Sequence, residues 1–260
     1  MRTVTRYVRL MAVGWAFHLR YLSRSAFEIV SALLFPLLFA TTTFFMFEGG
    51  DTGTSLLYAA LGSGMLSIWD STLFGSGGAI QEQRWLGTLE LLVAAPTPLA
   101  ATVAPLTLAT ATKGLYSFAA TLLWGWAVFG VSLAVVHPVA FVAAVAVTIL
   151  SLGLLGTVLA STFIFLRNAN ALSNMLTYPM ALATGLLVPL GLLPGWVTPI
   201  SWLLPPTWGM DAIRQAATGG NAWPEILMCL VVGVAYGALG VFLVARMERL
   251  ARRHATLALA

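Results

Sequence analysis

Six uninterrupted apolar runs, each long enough to cross a bilayer as a helix, constrain this chain more than any other feature. A hydrocarbon core about 30 Å thick takes roughly 20 residues of helix. Runs of that length, bounded by charge or by Pro and Gly, fall at 28–47, 55–79, 114–136, 139–166, 171–193 and 223–245. Charged residues make up 8% of the chain and hydrophobic ones 59%, whereas soluble domains carry about 25% charged residues. A water-soluble enzyme is excluded, and the fold class expected is an all-α integral membrane protein. The stretch Leu99 to Thr112 is too short to cross and contains Pro105, which predicts an interfacial entry into the third span.

Orientation follows from the basic residues, because cytoplasmic loops are enriched in Lys and Arg. With the N-terminus inside, twelve of the thirteen Lys and Arg lie on the cytoplasmic side and only Arg214 lies outside. Both termini are then cytoplasmic. The outer connections are the acidic turn Glu48 to Asp51, a short His137-Pro138 hairpin and a longer segment, 194–222. The net charge of +4 is spread too thinly for a nucleic-acid groove. Cys229 is the only cysteine, which excludes an internal disulfide and reads as a small buried hydrophobe. No short apolar core with a small-residue cleavage site follows the first arginines, so a cleavable leader is not expected.

Residues 1–24 read as a helix lying in the cytoplasmic headgroup layer. At 100° per residue, Arg2, Arg6, Arg9, Arg20 and Arg24 fall in a stripe about 60° wide. Val4, Tyr7, Val8, Met11, Trp15, His18, Leu19 and Leu22 lie opposite, facing the lipid. Trp15, Trp85, Trp196, Trp202 and Trp223 fall near predicted interfaces as belt anchors.

Between the second and third spans, QEQRWLGTLELLVAAP (Gln81 to Pro96) is the one cytoplasmic connection long enough to engage a partner, and it predicts a short exposed helix over 80–96. An acid followed by Gly-Thr-Leu-Glu, two leucines and a proline resembles the corresponding loop of ABC-2-type transporter permeases. The matching residues are Glu82, Gly87, Thr88, Leu89, Glu90, Leu91, Leu92 and Pro96. A second match, Leu193 to Ala216, resembles that family's outer segment before the last span, with Pro205 or Pro206, Asp211 and Arg214 in place.

The resemblance implies one transmembrane domain over 1–260: an interfacial helix, five spans over 28–193, a re-entrant outer segment over 194–222, a sixth span and a cytoplasmic tail over 246–260. It further implies an exporter permease in a bacterial plasma membrane, moving a drug, antibiotic or lipid-linked molecule. The permease would pair with an identical or homologous half and with two separate ATPase subunits that bind ATP and Mg. Glu82, Arg84, Gly87, Thr88 and Glu90 would couple to the ATPase. The chain itself has no G-x-x-x-x-G-K-[ST] loop, since its only lysine, Lys113, follows Ala111-Thr112.

Several polar residues bear on the path. Asp70 lies inside the second span, and intramembrane acids face a bundle interior or a watery cavity. Its structural alternatives are a hydrogen bond to Ser67 or Ser71, or a pair with Lys113. Gly75, Gly77 and Gly78 predict a loose or kinked inner end for that span. Pro194, Pro199, Pro205 and Pro206 divide an apolar stretch into pieces too short to span, which predicts short helices dipping into the outer leaflet. Asp211 and Arg214 are spaced to pair on one helix face. Gly233 and Gly237 form a small-x-x-x-small face for close helix approach within the subunit. A proton- or ion-coupled carrier using Asp70 is the alternative function, but no internal repeat of spans supports it. An intramembrane enzyme is disfavoured because His18, His137 and His254 lie at three different depths.

Overall fold

The computed structural model describes residues 2–47, 52–87, 97–163 and 169–254. The turn Glu48 to Asp51, the loop residues Thr88 to Pro96, Arg167 and the last six residues lie outside the described residues. Among those described, nine α-helices and one 3-10 turn occur and no strand. The helices are α1 (Arg2–Arg24), α2 (Ala26–Phe47), α3 (Thr52–Trp85), α4 (Ala100–Phe129), α5 (Pro138–Phe163), α6 (Ala169–Ala183), α7 (Val197–Trp202), α8 (Pro205–Thr218) and α9 (Trp223–His254). Within α2, α5 and α9, the stretches Glu28–Phe45, Pro138–Phe163 and Trp223–Leu250 are long and apolar enough to cross a membrane.

The bundle is apolar inside and out. Trp69, Phe44, Phe163, Met65 and Ile213 are fully buried, while Leu34, Leu38, Phe45, Leu227, Val231, Val234 and Phe242 stand exposed along the outer faces of α2 and α9. Exposed apolar area on this scale suits contact with lipid and would drive aggregation in water.

Because lipid tails are as apolar as leucine, the helices are held by close backbone approach and by hydroxyl hydrogen bonds rather than by hydrophobic burial. Gly233, Gly237 and Gly240 of α9 lie against Ser151, Leu154 and Thr157 of α5, and the Ser151 hydroxyl donates to the Cys229 carbonyl at 2.9 Å. The α9 glycine face thus packs within the subunit. On the other side of α5, the Thr107 hydroxyl of α4 donates to the Gly153 carbonyl at 2.9 Å.

Four boundaries differ from the sequence reading. Leu99 to Thr112, expected as an interfacial entry into the third span, is continuous with it: α4 runs unbroken from Ala100 to Phe129. Pro105, near its start, removes one hydrogen bond of the ladder without ending the helix. The third span stops at Gly130, whose φ of +65° closes the helix in the left-handed conformation. Residues 130–137 then form the connection expected to be a two-residue hairpin, and His137 N–H donates to the Ala216 carbonyl at 3.0 Å. The fifth span, expected to reach residue 193, ends as α6 at Ala183, with Gly185 at φ +73° and Pro189 beyond it. The last helix does not stop at 245 but continues to His254.

Gly75, Gly77 and Gly78 do not interrupt α3, which is helical throughout its 34 residues. At Gly75 the reason is packing: an added Cβ would meet Thr110 Cβ at 2.5 Å, so the glycine admits α4 rather than loosening α3. The N-terminal helix also differs in what it faces. Trp15, His18, Leu19 and Leu22 are half-buried, and Trp15 Nε1 donates to Thr112 Oγ1 at 3.1 Å. The C-terminal half of the face assigned to lipid is thus turned onto α4, while Tyr7, Val8 and Met11 of that face stand exposed, as do Leu10, Val13, Phe17 and Tyr21.

Candidate functional site

At one end of the bundle α3 continues beyond its packed part and carries the first residues of the suspected partner segment. Gln81 to Trp85 complete α3 instead of opening a separate helix. Leu86 N–H closes the last turn onto the Glu82 carbonyl at 2.9 Å, and Gly87 follows at φ +67°. That left-handed glycine is what ends the helix, because a Cβ there would clash with the backbone. Arg84 lies in this last turn; Thr88 and Glu90 fall outside the described residues.

Glu82 is exposed, and its Oε1 accepts a hydrogen bond from the Tyr21 hydroxyl of α1 at 3.0 Å. That bond and the carboxylate charge push the Tyr21 hydroxyl above its usual pKa. Burial holds the nearby His18 imidazole below its usual value, with Glu82 working in the opposite direction. Beside this end, Leu99 N–H, at the start of α4, donates to Glu248 Oε2 of α9 at 2.9 Å. A carboxylate there satisfies an orphan helix donor and complements the helix dipole. Glu248 and Tyr21 were not singled out in the sequence, where no local spacing links them to the loop.

Deeper in the bundle, α2, α3, α4 and α6 enclose a cavity of about 600 Å³ that Asp70 lines. None of the three partners expected for Asp70 takes it. Ser67 donates to the Ser63 carbonyl at 2.9 Å and Ser71 to the Thr110 carbonyl at 2.8 Å. Lys113 is paired with Glu28 at 2.5 Å. Asp70 Oδ1 is buried without a hydrogen-bond partner, and Thr177 is the side chain within hydrogen-bonding reach of the carboxylate. Glu28 was missed because it stands at the start of an apolar run. The need of Lys113 for a counter-charge was the one available signal.

At the opposite end, Asp211 and Arg214 share α8 but form no ion pair. The Arg214 guanidinium instead sits 3.5 Å from the centre of the Tyr58 ring of α3, and its Nη2 donates to the Leu186 carbonyl at 3.4 Å. The Tyr58 hydroxyl in turn donates to the Gly185 carbonyl at 3.2 Å. Tertiary partners therefore override the local i, i+3 geometry. This stack ties α8, α3 and the turn after α6 together. Arg214→Lys removes the planar stacking group and should lower stability by about 1–2 kcal/mol. The check is the thermal midpoint of the purified protein; an unchanged midpoint would mean that the stack holds nothing together.

A bundle that is all-helical among the described residues, suited to lipid outside and holding an interior cavity, describes a multi-pass membrane protein. Residues 8–218 match the family described as ABC-2 type transporter, and the chain belongs to that family as an ABC transporter permease. No curated protein matches the chain.

Proposed function

We propose that the chain is the membrane half of an ATP-driven exporter that moves an amphipathic molecule, a drug, an antibiotic or a lipid-linked compound, outward across a bacterial plasma membrane. Family membership over residues 8–218 carries this reading. ATP and Mg are bound by a separate ATPase, present in two copies beside a second permease half. The segment 80–96 is the coupling element, with Glu82, Arg84 and Glu90 as polar anchors and Gly87 and Thr88 as further coupling residues. Asp70 borders the path, and Asp211 and Arg214 organise the outer mouth. The decisive experiment is purification of the chain from its native membrane: an ATPase should copurify, and its absence would remove ATP from the proposal.

In this reading six helices cross the membrane, α1 rests at the cytoplasmic surface, α7 and α8 dip into the outer leaflet, and both termini are cytoplasmic. Cysteines introduced at Thr3 or Ala258 should resist impermeant thiol reagents in intact cells, whereas those at Thr52 or Asn221 should label. The native Cys229 is buried and should stay silent. Labelling at Ala258 would invert or break the six-span topology.

A further inference from the structure

We infer that the cavity between α2, α3, α4 and α6 is a binding site for amphipathic organic monocations, with the Asp70 carboxylate as counter-ion. As a station on an export path it rests on the permease reading; as a binding site it stands on the cavity itself. The volume, about 600 Å³, lies within the range of drug-sized ligand sites, roughly 300–1,000 Å³. Its walls set the apolar and aromatic side chains Phe39, Leu66, Phe74 and Tyr178 beside hydroxyl, amide and charged groups, a mix that can orient an amphiphile.

Charge decides the class of ligand. Lys113 lines the cavity, but its ammonium is neutralised by Glu28 at 2.5 Å. Asp70 is the acid that lines the same cavity, and it has no ion-pair partner among the described residues. The donors nearest in sequence, Ser67 and Ser71, are committed to backbone carbonyls. The buried Oδ1 is left unpartnered. An anion entering here would meet a like charge, and a neutral molecule would leave the carboxylate without a counter-charge and its buried Oδ1 unpartnered. A cation removes that cost, and Phe74 and Tyr178 among the lining residues are aromatic, the side-chain type that attracts cations.

The test uses the full-length chain in lipid nanodiscs and equilibrium dialysis of labelled tetraphenylphosphonium, with binding to empty discs subtracted. Tetraphenylborate, of the same shape and opposite charge, is the comparator. The wild type should bind the phosphonium saturably and not the borate. Asp70→Asn should weaken phosphonium binding by about thirtyfold or more, while Asp70→Glu, which keeps the charge, should retain most of it. Glu28→Gln leaves Asp70 untouched but frees the Lys113 ammonium at the cavity wall. It should weaken the phosphonium by about tenfold and admit the borate. Equal binding of both ions by the wild type, or undiminished phosphonium binding by Asp70→Asn, would overturn the assignment. ATPase copurification is scored on the same variants: its loss with phosphonium binding intact counts against the permease reading alone, and its retention without phosphonium binding counts against the cavity alone.

Discussion

Changing Glu82 and Glu90 together to lysine should separate the permease from its ATPase. If these acids sit against basic groups of the partner, the double substitution places like charges across the contact. Disrupting one side of a buried charge contact costs about 2–5 kcal/mol, enough to lose most copurification and all stimulated hydrolysis. Insertion should be unaffected, because neither position lies within one of the apolar runs that would cross the bilayer. The structure supplies the control that the sequence could not. Glu82 also accepts the Tyr21 hydroxyl at 3.0 Å, so the charge reversal disturbs α1 as well. Tyr21→Phe removes only that bond and should leave ATPase association intact. Coupling at parental level in the double mutant would withdraw Glu82 and Glu90 from the interface. A loss in Tyr21→Phe as large as in the double mutant would assign the effect to α1 instead.

Gly233→Leu should prevent α9 from docking on α5. A Cβ at this position would meet Ser151 Cβ at 2.5 Å and Ser151 Cα at 2.8 Å, and a backbone atom cannot swing aside as a side-chain tip can. The helices must part, the 2.9 Å bond from Ser151 to the Cys229 carbonyl is lost, and the expected cost is about 3 kcal/mol or more. Val234→Leu, one residue on and facing outward, should be nearly neutral. Yield and monodispersity of the two variants in detergent give the comparison. Equal behaviour would mean that the close approach of α5 and α9 contributes little to the fold.

What could be read in the sequence was what repeats along a single helix. The long apolar runs of α5 and α9 mark those helices to within a few residues at their starts, and the prolines before residue 206 foretell the short α7 and α8. The small-residue spacing at Gly233 and Gly237 announces a close contact. What escaped depended on partners distant in sequence. Lys113 finds Glu28 across 85 positions, and nothing near either residue hints at the other. Arg214 is one turn from Asp211, yet it takes Tyr58 because the aromatic face and the Leu186 carbonyl lie inward. Pro105 suggested a break in α4, but near a helix start a proline removes too little hydrogen bonding to stop the chain. For Asp70 the sequence offered Ser67, Ser71 and Lys113 as partners and could not show that each is already occupied.

The bond from Leu99 N–H to Glu248 also carries a consequence for how the protein is made. The two residues are 149 positions apart, and synthesis at about 5–20 residues per second puts roughly 7–30 s between them. Through that interval α4 is threaded and placed with its first donor held by water or by a passing partner. Only when the final helix emerges is the beginning of α4 closed. The last stretch of the chain therefore acts as a latch on a helix inserted long before it, and a ribosome that stalls before residue 248 leaves a bundle whose middle is still open at one end.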